Sequence, residues 1–265
     1  KYPNHFEIVH SGAIMYQLKF TEDRGEDTLK RSNELFRRAI PLLYQNKNTK
    51  ISEVSILNNI AQNFMMVGDT ERALELFREN NVCNINSATI GFLYAEKLRK
   101  PKEAEVYLFE AYIDILRLVF ATMTGLVSMY GQLQEATASK AALWACQFLD
   151  SIKEGDGIAF TDRLKAVFLA LYAARKAEEG SPEEAGEYMR KSFLLAKQFD
   201  EAPVYQLKGI KFVREEYEEL RFFDGLGNTA SEAVENQLFQ KEQLSQGEKY
   251  IGKIWEDLKN GKINL

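Results

Sequence analysis

Residues 54–80, VSILNNIAQNFMMVGDTERALELFREN, constrain the fold of this chain more than any other stretch. Apolar residues recur at helical spacing on both sides of Val67, Gly68 and Asp69, which predicts two amphipathic helices. Glycine tolerates the positive φ that ends many helices, and aspartate can cap the helix that follows. We therefore predict that a tight turn joins the two helices and that they pack antiparallel. The two apolar stripes consist of Leu57, Ile60, Ala61 and Phe64 before the turn and of Ala73, Leu74 and Phe77 after it.

The order of residue types in this hairpin resembles the tetratricopeptide (TPR) repeat, in which large apolar, small, aromatic, glycine, alanine and aromatic positions follow one another. The small Ala61 and Ala73 stand where the two helix backbones could approach closely. Leu57 occupies the usual tryptophan position, and Ile85 occupies the usual late proline position. The resemblance implies a scaffold of helix pairs, and it does not imply a ligand.

The same spacing recurs along the chain. From Ile60 to its equivalent Tyr94 the step is 34 residues, which is the TPR period, and from Tyr94 to Leu126 it is 32. Residues 164–199 repeat the pattern once more. We predict five helix pairs, over residues 6–44, 54–80, 87–112, 117–152 and 164–199, followed by closing helices over 203–223 and beyond residue 229.

Composition supports a helical array. Alanine, leucine, glutamate and lysine are plentiful and only five prolines occur, which favours helix over strand. Pro41 lies inside the second helix of the first pair and is expected to kink its last turn. The predicted fold class is all-α, a right-handed superhelical array of antiparallel helix pairs (a TPR-like α-solenoid) over residues 1–221. Residues 222–265 are predicted to be capping and dimerisation helices of the same continuous domain, because an array needs an atypical end to cover its last apolar face.

Charge and hydropathy argue against two classes of partner, namely nucleic acids and membranes. The net charge of −5 argues against nucleic-acid binding by this chain itself, because phosphate contacts need clustered cations. No apolar run approaches the ~18 residues that span a bilayer, since the longest candidate, residues 116–127, is interrupted by Arg117, Thr122 and Thr124. We therefore expect no membrane contact and, because no signal peptide is recognisable, a cytoplasmic location.

Few residues could carry chemistry. His5 and His10 lie close together, but no cysteine or carboxylate follows at a spacing typical of a zinc site, so we expect surface residues. Cys83 and Cys146 each lie in an apolar helical context and are expected to be free, buried thiols in a reducing cytoplasm. The sequence has no glycine-rich phosphate loop and no nucleophile motif. The expectation is a protein that is not an enzyme, with no cofactor and no metal.

Polar positions on the first helix of each pair are the predicted ligand-binding groove, because those helices line the concave side of a solenoid. Asparagine and glutamine amides both donate and accept hydrogen bonds, which suits a peptide backbone, and an arginine or glutamate could fix a ligand terminus. Asn58 is the sharpest of these, since asparagine is a middling helix former; the alternative is that it is solvated or bonds a neighbouring helix. The predicted groove residues are His10, Gln17, Asn58, Gln62, Met65, Glu96, Arg99, Thr124 and Ser128.

Other stretches carry a wider resemblance, namely residues 1–4 (KYPN), 34–41 (ELFRRAIP), 57–61 (LNNIA) with Gly68 and Asp69, and 227–230 (GNTA). With these the chain resembles the C-terminal region of Gram-positive bacterial transcription regulators that carry an N-terminal helix-turn-helix of the Xre type before a TPR-like array. The resemblance implies a sensing and dimerising domain that controls an attached DNA-binding domain, in some relatives through a short signalling peptide. The helix-turn-helix itself is absent from this sequence, which opens at Lys1 and is expected to be a fragment or a processed chain.

Two functions from different classes remain open at this stage. The first is a regulatory domain that binds a peptide or protein partner in a concave groove, forms a homodimer and controls an N-terminal DNA-binding domain. The alternative is a constitutive scaffold or adaptor for protein–protein interaction with no DNA-binding domain. The coding sequence ahead of Lys1 would separate the two.

Overall fold

A computed structural model of the chain describes residues 4–133, 137–240 and 242–263. In these ranges the protein is all-helical, with eleven α-helices and no named strand, which confirms the all-α part of the predicted fold class. Of the resemblance-bearing residues 1–4, only Asn4 lies in the described part of the chain. The helices are α1 (Phe6–Asp23), α2 (Glu26–Ala39), α3 (Glu53–Met66), α4 (Thr70–Glu79), α5 (Ser87–Phe92), α6 (Pro101–Gln132), α7 (Thr137–Ile152), α8 (Phe160–Glu178), α9 (Pro182–Glu201), α10 (Ala230–Leu238) and α11 (Gln246–Lys259).

The chain divides into two compact units, Lys1–Arg117 and Leu118–Leu265. The predicted boundary between residues 221 and 222 therefore falls inside the second unit. The reason is α8, which is buried on nearly every side and so needs neighbours all round. Both α10 and α11 pack against α8, together with α7 and α9. The helices predicted to cap the array, within the same continuous domain, thus pack on the central helix of this unit.

The predicted hairpin is present in the first unit as α3 and α4. Gly68 adopts a φ of +84°, and the backbone N–H of Arg72 donates to Asp69 Oδ1 at 3.3 Å, so the turn chemistry is confirmed. Ala61 and Ala73 are fully buried in one apolar cluster, as their small size predicted. The hairpin therefore closes where the sequence placed it.

Helix α1 packs with only part of the face that helical spacing predicts. Of the predicted apolar positions, Ala13 and Phe20 are buried, whereas Ile8 is 53% exposed and Tyr16 is 37% exposed. The buried neighbour of Ile8 is Val9. The prediction was wrong at Ile8 and Tyr16 because α1 is apolar on both sides, and spacing alone then fails to identify the whole packed face.

Proline changes the end of the next helix as predicted. The α-helical geometry of α2 ends at Ala39, and the 3₁₀ segment Ile40–Gln45 follows, with Pro41 in its first turn. Proline lacks the backbone N–H that donates the α-helical hydrogen bond, so the α-helix cannot continue through Pro41. The chain continues instead as the tighter 3₁₀ helix.

Helix α6 runs without interruption across the predicted gap between the third and fourth pairs. The sequence predicted two helices over residues 101–132, and one helix, Pro101–Gln132, is present. Residues 102–124 contain neither glycine nor proline, so nothing in them stops a helix. The prediction of separate helices relied on the repeat period and was wrong here.

By length and composition, α6 is also the one helix in the described ranges that could cross a membrane. One 18-residue window in it has a mean hydropathy of 1.4, and 22% of that window is buried inside the protein. The sequence prediction rested on the absence of an unbroken apolar run. A mean hydropathy over 18 residues can be high even when the window contains an isolated arginine or threonine. A single helix of this kind is weak evidence of membrane spanning.

Residues 203–223 do not form the predicted helix. They contain two isolated antiparallel bridges, Lys153 to Ile210 and Gln206 to Arg221, and one short 3₁₀ turn. Positive φ angles of +79° at Gly209 and +65° at Phe212 break any helical path. We call residues 203–229 the α9–α10 connection.

A buried ion pair fastens this connection to the beginning of α8, and a second one joins α8 to the loop that precedes it. The Arg163 guanidinium, only 1% exposed, donates to the two carboxylate oxygens of Asp224 at 2.8 and 3.2 Å. The neighbouring Asp162 accepts from Lys153 Nζ at 2.7 Å and from the backbone N–H of Ala159 at 2.8 Å. Charges buried in this way are stable only while both partners remain in place.

Candidate functional site

A groove of ≈1000 Å³ opens in the first unit between α4 and the segment that leads into α6. We call it the α4 groove. Six of its lining residues are charged, and the two signs balance. The acidic residues are Glu71, Glu75 and Glu79, and the basic residues are Arg72, Arg78 and Lys100.

The α4 wall of the groove follows from the sequence of that helix. Glu71, Glu75 and Glu79 recur every four residues, so they share one helix face. Arg72 Nη1 lies 3.6 Å from Asp69 Oδ2, and its guanidinium carbon lies 5.6 Å from the ring centroid of Phe64. The apolar Leu74 and Phe77 point into the core, which leaves the charged face of α4 for the groove.

The opposite wall is aromatic. Tyr94 and Tyr107 both line the groove, and their rings stack with centroids 5.8 Å apart and planes 19° apart. Tyrosine combines a large apolar ring with a hydroxyl group, a combination that is frequent at binding surfaces. The groove therefore offers charges on one side and stacked rings on the other.

A π-helical stretch sets the position of this aromatic wall. It covers Leu93–Lys97, and the backbone N–H of Lys100 donates to the carbonyl of Tyr94 at 2.8 Å. Arg99 then adopts a φ of +54°, which turns the chain into α6. Single π-helical turns are frequent at functional sites, and this one places Tyr94 and Lys100 on the same groove.

Asn58, the leading predicted groove residue, contacts Asn86, the residue immediately before α5. Its Oδ1 accepts from Nδ2 of Asn86 at 2.9 Å, and the same Nδ2 lies 3.2 Å from the carbonyl of Phe77 and 3.0 Å from that of Asn80. Asn86 is only 4% exposed. The hydrogen bond to a neighbouring helix, which the sequence left as the alternative for Asn58, is thus the contact observed.

Gln17 similarly uses its amide inside the first unit. Its Nε2 donates to Oδ1 of Asn63 at 2.9 Å, and Asn63 Nδ2 donates to Ser32 Oγ and to Asn33 Oδ1. Asn63 is fully buried, and sequence reasoning missed it. The signal was available, because Asn63 follows the buried Ile60 at helical spacing on the same stripe.

His10 lies between two rings. Its imidazole stacks on Phe6 with centroids 5.4 Å apart and meets the edge of Phe36 at 5.7 Å. Partial burial lowers the pKa of His10 below its ordinary value, so the neutral form is favoured. His10 is therefore half-buried, where a surface residue was expected.

The remaining predicted groove residues are scattered. Gln62 is exposed and Met65 is partly buried against the apolar cluster of α3 and α4. Glu96 and Arg99 form an exposed pair with 3.9 Å between Oε2 and Nη1. Thr124 Oγ1 donates within its own helix to the carbonyl of Phe120, and Ser128 is half-buried. None of the nine lines the α4 groove.

A second cavity, of ≈390 Å³, lies in the second unit where α7, α8 and α9 meet. We call it the α8 pocket. Leu143, Cys146 and Leu169 give it an apolar floor, and Leu169 and Cys146 are buried. Burial raises the pKa of the Cys146 thiol to about 12, so this thiol is neutral and behaves as part of the apolar floor. Cys83 is exposed, so the prediction of two buried thiols was wrong for that residue.

The rim of the α8 pocket is charged. Lys165 Nζ lies 2.6 and 2.8 Å from the two carboxylate oxygens of Asp150. Lys191 Nζ lies 2.6 Å from Glu187 Oε1 and 4.4 Å from the ring centroid of Tyr188. Two lysines and one aspartate line the pocket, so its lining carries one net positive charge.

Both cavities have the geometry of binding sites. Within the described part of the chain, no three His, Cys, Asp or Glu side chains come together as possible metal ligands. Comparison with protein-family models, curated proteins and solved structures gives no match. Function must therefore be argued from the cavities themselves.

Proposed function

We propose that this chain is the ligand-binding regulatory domain of a bacterial transcription regulator, and that it binds a peptide or protein segment in the α4 groove. The groove itself carries the proposal. Its volume of ≈1000 Å³ is at the upper end of the roughly 300–1,000 Å³ that small-molecule pockets occupy, and its open lining carries charges of both signs, which suits a polypeptide segment.

The chemistry of the walls favours a polypeptide of mixed charge. Glu71 and Glu75 on α4 can pair with basic side chains, and Lys100 can pair with an acidic one. Tyr94 and Tyr107 offer ring faces to apolar or basic side chains between them. We place the ligand here because the amides of Gln17 and Asn58 are already used within the first unit.

The regulatory part of the proposal comes from the family resemblance. In it, the helix pairs form a right-handed superhelical, TPR-like α-solenoid, and the chain is a cytoplasmic homodimer. Ligand binding shifts the curvature of the array or its dimer packing, and so the spacing of attached helix-turn-helix domains. The serial packing of α1 on α2, α2 on α3 and α3 on α4 supports such an array.

A selection from random dodecapeptides displayed on phage tests the binding site. One selected peptide, labelled with a fluorophore, is titrated with the protein by fluorescence polarisation. We expect Glu75→Lys and Lys100→Glu to weaken binding at least tenfold, which is about 1.4 kcal/mol. Lys197→Glu is the matched control, because Lys197 is an exposed lysine of α9 that pairs with Glu201 in its own helix and does not line the groove.

Two results would overturn this assignment. One is a selection that yields no peptide bound above background, and the other is equal affinity in the wild type and in both groove variants. The regulatory part is tested separately by reading the coding sequence ahead of Lys1. A helix-turn-helix there supports a regulator, whereas its absence favours the constitutive scaffold.

A further inference from the structure

We propose that the α8 pocket binds a carboxylate attached to a compact apolar tail, either as a free monocarboxylic acid or as the C-terminal residue of a polypeptide. This site lies in the second unit and is independent of the α4 groove. It also involves none of the nine residues that the sequence predicted.

The floor of the pocket selects the apolar tail. Leu143 and Leu169 face the cavity together with the Cys146 thiol. Because this thiol is neutral, it adds no charge that would repel an anion. Leu194, 41% exposed on α9, extends the apolar lining toward solvent. A short aliphatic chain or a leucine side chain would exchange water for this surface, which is favourable.

The rim selects the carboxylate. Lys165 and Lys191 provide two ammonium groups, and each ammonium has three donors. Lys165 binds both oxygens of Asp150, and Lys191 Nζ lies 2.6 Å from Glu187 Oε1. An incoming carboxylate would therefore share each lysine with a carboxylate of the protein, using the remaining ammonium donors. Asp150, which itself lines the pocket, acts as an internal competitor for the ligand.

Two amides distinguish the possible sources of the ligand. Gln147 and Gln198 also line the pocket, and glutamine amides can bond a peptide backbone as donor and acceptor. A polypeptide C-terminus would use these amides, whereas a free acid would leave them to water. The two sources therefore predict different affinities at the same site.

Calorimetric titration of octanoate, octanol and an acetylated tripeptide ending in leucine tests the proposal, the peptide being used both as free acid and as C-terminal amide. All titrations use the Cys83→Ser variant, in which Cys146 is the remaining cysteine. We expect saturable 1:1 binding of octanoate or of the peptide acid, with octanol and the peptide amide at least tenfold weaker. The tighter of the two acids identifies the source of the ligand.

Substitutions on the rim give effects of opposite sign. Lys165→Met and Lys191→Met should each weaken carboxylate binding at least fivefold, whereas Asp150→Asn should strengthen it about threefold by removing the competitor. Lys197→Met, on the same helix as Lys191 but outside the pocket, should change nothing. Circular dichroism of each variant shows whether it is folded.

Alkylation of Cys146 by iodoacetamide gives a second readout at the floor. Bound ligand should slow this reaction at least threefold in the Cys83→Ser background. The proposal is overturned if neither acid binds saturably, or if the lysine variants bind octanoate and the peptide acid as well as the parent does. Glu75→Lys should leave binding of these acids unchanged, so failure here is distinguishable from failure of the α4 groove.

Discussion

The two units of this chain bury polar groups in different ways. In the first unit, the buried Asn63 belongs to a neutral network, in which it bonds Gln17, Ser32 and Asn33 through amide and hydroxyl groups. In the second unit, the buried Arg163 forms an ion pair with Asp224. Neutral networks lose moderate stability when one member is removed, whereas a buried charge left alone is far more costly.

The two units also differ in how their helices pack. The first four helices contact each other in sequence order, and α2 and α4 each present one apolar face. In the second unit α8 is central, with α7, α9, α10 and α11 packed around it. Hairpin spacing in the sequence therefore leads to a serial arrangement where helices are one-sided and to a bundle where one helix is apolar all round.

The largest expected effect comes from breaking the ionic contact of the second unit. Asp224→Ala leaves the Arg163 guanidinium buried without its partner, and it should lower the free energy of unfolding by about 3–5 kcal/mol. Urea denaturation followed by circular dichroism measures the loss. Glu201→Ala, which breaks an exposed pair with Lys197, should cost about 1 kcal/mol or less. Similar losses in the two variants would remove the distinction.

Close helix contacts give the next effect. A Cβ at Gly247 would lie 2.3 Å from the backbone carbonyl oxygen of Ala174, whereas one at Gly91 would meet the side chain of Leu108 at 2.5 Å. Overpacking costs about 1–3 kcal/mol, and a backbone atom yields less readily than a leucine side chain. Gly247→Ala should therefore lower the thermal midpoint more than Gly91→Ala. The reverse order would contradict the close packing of α11 on α8.

The amide network of the first unit predicts a smaller loss. Asn63→Ala removes a hydrogen-bond partner from the buried Ser32 and Asn33 and from the half-buried Gln17, and it should cost about 1–3 kcal/mol. Asn58→Ala removes one of three acceptors around Asn86 and should cost less. Denaturant midpoints of the two variants provide the comparison. If Asn58→Ala is stable but loses peptide binding, then the ligand reaches α3 after all.

The smallest effect is a pH dependence from α1. Partial burial lowers the pKa of His10 in the folded state, so the unfolded chain takes up a proton at higher pH than the folded chain does. Stability is therefore fully present above the unfolded pKa of about 6.5 and is lost as pH falls through the folded value. His10→Leu should flatten the stability profile between pH 7 and 5. An unchanged profile would show that His10 titrates freely.

Much of the first unit could be predicted from sequence because its signals are local. Gly68, Asp69 and Pro41 act on the backbone within a few residues, so the α3–α4 turn and the 3₁₀ segment followed directly from residue types. The continuity of α6 did not follow, because a repeat period says nothing about where a helix stops. The α9–α10 connection was missed since its path depends on distant partners of Arg163 and Ile152.

The cavities were the least predictable part. The α4 groove joins Glu75 to Tyr94 and Tyr107, and the α8 pocket joins Cys146 to Lys165 and Lys191. These residues come from different helices, and only tertiary packing brings them together. The sequence prediction used the repeat spacing along the first helix of each pair, which indicated Asn58 and Gln62. Spacing within single helices cannot identify residues that different helices bring together.

Hydrogen–deuterium exchange with the selected dodecapeptide tests the central claim, peptide binding in the α4 groove, most directly. Binding should slow amide exchange in α4 and in the π-helical stretch Leu93–Lys97, because ligand contacts suppress local opening. The rates in α8 should stay unchanged. Protection confined to α1 and α3, with none in α4, would contradict the account.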